Sequence, residues 1–232
     1  MSQSGSASHL TEANSITVDA AGTGSVVSAA DGATLDSFTA DVAFDVDDTA
    51  ANIAAQITGT GKDGSELDEA NSVLVLSGSA VTADDAAAIQ NISGYIASGS
   101  DVDIVDTAAE ILSAGNAILD DLGVDSIAVS GGPVDAATGE LLGDLNKNVA
   151  FDILDDANDI ASQIMGASNG PGDLDEAGTV VVSSGNVDVA SADAIQDISG
   201  YVGTMSDYDI TDTSAAITVS YTHLTLPTTP YV

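Results

Sequence analysis

Four aspartates stand between apolar neighbours in short runs of one pattern: Asp45 in "FDVDDTAANI", Asp103 in "VDIVDTAAEI", Asp152 in "FDILDDANDI" and Asp209 in "YDITDTSAAI". A carboxylate recurring at a fixed place on stacked strands could hold a row of divalent cations, calcium above all. Geometry limits that idea. Neighbouring strands lie about 4.8 Å apart, so carboxylates on alternate strands stand about 9.6 Å apart. The strands between are expected to place Leu74, Ala128 and Val181 at the comparable position. Calcium takes about six to eight oxygens at about 2.3–2.6 Å, so one ion does not bridge two such rungs. The expectation is a solvated strand face with diffuse cations around it.

Two acidic loops supply the other oxygen-rich stretches. "GKDGSELDEAN" (61–71) carries Asp63, Glu66, Asp68 and Glu69; "NGPGDLDEAG" (169–178) carries Asp173, Asp175 and Glu176. These seven are the calcium candidates, although neither loop has the alternating oxygens, sixth-position glycine and closing glutamate of an EF-hand. An acid beside a strand or helix is more often a cap or a solvated turn, so no metal ligand is assigned and no cofactor is expected beyond possible sites for Ca²⁺.

Catalytic chemistry finds little material. Apart from His223 in the C-terminal stretch, the only histidine is His9, and cysteine is absent. That leaves no basis for a Ser-His-Asp triad, a thiolate nucleophile or a His-ligated zinc. No nucleophile elbow, phosphate loop or dinucleotide-binding glycine motif occurs. Paired carboxylates could cleave glycosides, but a catalytic pair is a unique constellation and these acids recur copy after copy. No enzyme is expected.

Charge narrows the partners. The 232 residues hold 37 acids against two lysines, Lys62 and Lys147, for a formal net charge of −35. Nucleic acids and anionic membranes bind through Lys and Arg, and this chain offers no such surface. Self-repulsion of this size is tolerated where salt screens it, which points to a saline extracellular setting. No run reaches the length of a membrane span, and "MSQSGSASHLTEANS" lacks the basic and apolar regions of a signal peptide.

The elements that must position these acids are periodic. "VAFDVDDTAANIAAQI" (42–57) and "VAFDILDDANDIASQI" (149–164) share ten of sixteen residues. The match continues through "LDEANSVLVLSG" (67–78) with "LDEAGTVVVSSG" (174–185), and "AIQNISGY" (88–95) with "AIQDISGY" (194–201). A shorter period is nested inside, for Ile53, Ile111, Ile160 and Ile217 close the four aspartate runs. "LTEANSITV" (10–18) likewise repeats "LDEANSVLV" (67–75).

Alternating Val and Ile predict strands at 15–18, 42–46, 73–76, 102–105, 127–129, 149–153, 180–182 and 208–210. Ala-rich stretches with apolar pairs such as Ile53/Ile57, Ile89/Ile92, Leu141/Leu145, Ile160/Ile164 and Ile195/Ile198 predict helices. Asp48, Asp106, Asp155 and Asp212 are the expected N-caps. Tyr95 and Tyr201, equivalent in "ISGY", are expected to pack at helix ends.

The fold expected is an α/β repeat solenoid of strand–helix units of about 22–31 residues with a parallel sheet. The rival is an all-β solenoid or a string of small β domains. The repeats divide the chain into a partial unit (1–41), a long repeat (42–148), a second, shortened repeat (149–218) and a tail (219–232).

The units carried by Asp48–Ile53, Asp106–Ile111, Leu67–Gly78, Leu174–Gly185 and Ala194–Tyr201 resemble repeats of very large exported surface proteins of marine and cyanobacterial type. The resemblance spans residues 10–217 and implies export, a cell-surface location and a structural or adhesive role. Partners implied are neighbouring repeats of a longer chain and surface or matrix glycans. The Gly-Gly-x-Gly-x-Asp nonapeptide of calcium-binding relatives is missing; "GGPVDAATG" (131–139) comes nearest. The tail differs in kind: "VSYTHLTLPT" (219–228) resembles a translated sequencing adapter, which implies that 219–232 is no part of the natural protein.

Overall fold

A computed structural model of the chain describes residues 16–18, 26–38, 42–166 and 174–218. The expected tail and Asp173 lie outside these described residues. The fold is mixed α/β, with helices alternating with short strands that pair in parallel. The chain divides into two compact units, Met1–Ser130 and Gly131–Val232.

In the first unit the strands are β1 (Ile16–Thr17), β2 (Val26–Val27), β3 (Val42–Ala43), β4 (Asp45–Thr49), β5 (Ser72–Leu76), β6 (Val102–Asp106) and β7 (Val124–Val129). Its helices are α1 (Ala29–Asp36), α2 (Ala50–Ile57), α3 (Ala83–Gln90) and α4 (Ala108–Leu119). β1 pairs with β3, β4 lies between β2 and β5, and β6 pairs with β7. Single bridges join Val73 to Tyr95 and Val81 to Ile104. Each helix packs on the next, α1 on α2, α2 on α3 and α3 on α4.

The second unit repeats the scheme. It holds α5 (Ala136–Gly143), β8 (Ile153–Asp155), α6 (Ala157–Gly166), β9 (Val180–Val182), β10 (Asn186–Val187), α7 (Val189–Gln196) and β11 (Asp209–Ile210). β8 pairs with β9 and β10 with β11, while α5 packs on α6 and α6 on α7.

Seven of the expected strands overlap strands of the fold, the one expected at 149–153 shares only Ile153 with β8, and the Ala-rich stretches are helical. β2 and β10 were not expected, since two residues leave no alternation to read. α4 is not the continuous helix its sequence suggests, because Gly115 takes φ 63° inside it and kinks the run. Only glycine adopts that conformation without cost.

The core is small and aliphatic, as the composition requires. On the strands the alternate residues Val46, Val73, Val75, Ile104, Ile153 and Val180 are buried, and so are Ile53, Ile111 and Ile160 on the helices. Phe44 is the largest fully buried side chain of the first unit's early turns. Leu142, not the expected Leu141, is buried in α5. Close packing leaves no room at Gly32 and Gly139, which occupy matching helix positions. A Cβ on Gly32 would stand 3.0 Å from Val46 Cγ2, and one on Gly139 2.9 Å from Ile153 Cδ1. Among the described residues no polar or charged side chain is fully buried.

Candidate functional site

The carboxylates form two sets, and both bond residues 19 to 27 positions away in the chain. Asp48 Oδ2 accepts the N–H of Ala29 at 3.0 Å, while Oδ1 accepts the N–H of Thr49 at 2.9 Å and Asn52 Nδ2 at 2.7 Å. Asp106 does the same with Ala83 N (3.0 Å) and Thr107 N (2.8 Å). Asp155 takes Ala136 N (2.9 Å) and Asp156 N (2.8 Å), and Asp212 takes Val189 N (3.2 Å) and Thr213 N (2.6 Å).

Ala29, Ala83, Ala136 and Val189 are the first residues of α1, α3, α5 and α7. Each aspartate therefore satisfies an orphan helix-start donor of a helix earlier in the chain, where a negative charge also meets the positive helix end. This corrects the expectation that these four cap their own helices. The N-caps of α2 and α4 are Thr49 and Thr107, one residue further on, and Asp156 accepts from Asn158 N and Asp159 N at the start of α6. A hydroxyl or second acid at that place takes the local cap, which releases the first aspartate to reach across.

The strand aspartates make the second set. Asp45 accepts Ser72 Oγ at 2.7 Å, Asp152 accepts Thr179 Oγ1 at 2.7 Å, and Asp103 accepts Ser126 Oγ. The expected neighbours Leu74 and Ala128 are not opposite these acids. Leu74 pairs with Asp47 and Ala128 with Val105, while Val181 faces Leu154. The true register lies two residues away, with Val46 against Val73 and Ile104 against Ile127; a two-residue shift keeps the same face buried, and here it brings a hydroxyl to each acid.

The acidic loops also turn their oxygens inward. Asp63 Oδ1 accepts from Ser65 N and Ser65 Oγ, and the Glu66 carboxylate accepts from Asp63 N and Gly64 N. Asp68 and Asp175, equivalent in the repeat, accept the N–H of Ser93 (3.2 Å) and Ser199 (2.8 Å) in the following turn. The N–H of Glu69 donates to Asp36 at 3.1 Å, and Glu176 is exposed. Tyr95 follows α3 and donates its hydroxyl to Asp121 at 2.8 Å, and burial together with that carboxylate pushes its pKa up.

Among the described residues, two acid groups bring three carboxylates within 4.8 Å: Asp101, Asp103 and Asp125, and Asp155, Asp156 and Asp159. Neither includes any of the seven loop acids. Asp103, Asp155 and Asp156 are already hydrogen-bonded to protein donors, and Asp101 is held above the ordinary carboxylate pKa by desolvation and by its two acidic neighbours.

These shifts set a pH dependence. Burial raises the pKa of Asp48, but its donors Asn52, Ala29 and Thr49 outweigh that and hold it low; Asp63, Asp156 and Asp188 are also held low by hydrogen bonds. Groups with depressed folded pKa values stabilise the fold above the unfolded value and lose that contribution as pH falls through the folded one. Asp36 is raised chiefly by burial, Asp101 chiefly by desolvation, and Asp159 chiefly by Asp156. Their contributions are present below the unfolded value and lost as pH rises through the folded one. Thermal stability is therefore expected to rise as the pH falls through the raised folded values of Asp36, Asp101 and Asp159, and to fall again once it passes below the ordinary Asp value of about 3.9. Melting of dilute protein across that range checks this, and a steady decline from pH 7 would contradict it.

No helix among the described residues is long and apolar enough to cross a membrane. No protein-family model, curated protein or solved structure matches the chain.

Proposed function

We propose that the chain is a non-catalytic structural or adhesive segment of a long exported surface protein, built as an α/β solenoid whose successive turns are tied together by aspartates. The observation that carries this reading is the recurrence of one inter-turn bond at Asp48, Asp106, Asp155 and Asp212. An active site needs a constellation found once; a stacking device needs the same one in every copy. In-order helix packing and parallel strand pairs between neighbours in sequence support the solenoid. The sequence resemblance supports export, and the net charge of −35 suits a saline exterior where that charge is screened.

Calcium is then a screening ion and not a ligand the fold requires. Melting in about 5 mM Ca²⁺ and in Mg²⁺ of the same ionic strength should give shifts within about 2 °C of each other. A larger calcium-specific gain, lost on replacing Asp63 and Glu66 or Asp101 and Asp125 with asparagine or glutamine, would replace this reading with a calcium-dependent binding module.

A further inference from the structure

We draw no further inference here: the strongest candidate, the open groove of about 350 Å³ between α2 and the start of α3 in the first unit, is lined chiefly by Ala51, Ala54, Ala55, Val81, Val105 and Asp85, a stripe of small residues beside one carboxylate, and nothing in the structure shows what fills it.

Discussion

Replacing Ile111 with alanine is expected to cost about 3 kcal/mol, within the range for truncating a buried isoleucine. Ile111 is fully buried where α4 meets the strands and α3. The core here is made of small aliphatic side chains without tryptophan, so no bulky neighbour can swing in to fill the cavity. For a unit of this size the melting temperature should fall by about 10 °C. Ile217→Ala supplies an internal control, for the same residue type at the same repeat position is 45% exposed. Its cost should stay below about 1 kcal/mol. Urea titrations of the two variants read both numbers, and equal losses would show that the repeat positions are not packed as described.

Asp106→Ala is expected to cost about 2 kcal/mol, the loss of a charge-assisted cap. Two donors, Ala83 N and Thr107 N, lose their acceptor at once. Asp106→Asn keeps one side-chain oxygen and should lose about half as much. The more telling readout is hydrogen exchange at the Ala83 amide. That amide opens α3, in the preceding turn, and should exchange about tenfold faster or more in Asp106→Ala. An unchanged rate at Ala83, with a loss confined to α4, would mean that the aspartate serves its own helix alone. The equivalent aspartates Asp48, Asp155 and Asp212 allow the same measurement at Ala29, Ala136 and Val189.

Much of the architecture was legible in the sequence because it is periodic. Alternation of Val and Ile marked the strands, and the spacing of Ile53 with Ile57 and Ile160 with Ile164 marked buried helix faces. What could not be read were quantities that depend on turn length. Whether Asp106 caps α4 or α3 depends on which helix start the fold brings beside it, and no local pattern encodes that. The same applies to the strand acids: the hydroxyls of Ser72, Ser126 and Thr179 sit in plain view, but a register assigned from strand centres passes them by two residues. The loop acids drew attention as calcium ligands for their charge. Asp63 and Glu66 instead hold their own turn, and Asp68 and Asp175 hold the next one.

The cross-turn caps also impose an order in time. The starts of α1, α3, α5 and α7 receive their carboxylates from residues 19 or 23 positions further along the chain. At about 5–20 residues per second, a ribosome delivers that residue about 1–5 s after the helix start it serves. Helices form in microseconds, so during synthesis each of these four helices waits with its first amide exposed until the chain beyond it supplies the missing acceptor. Their starts therefore mature behind the elongation of the chain.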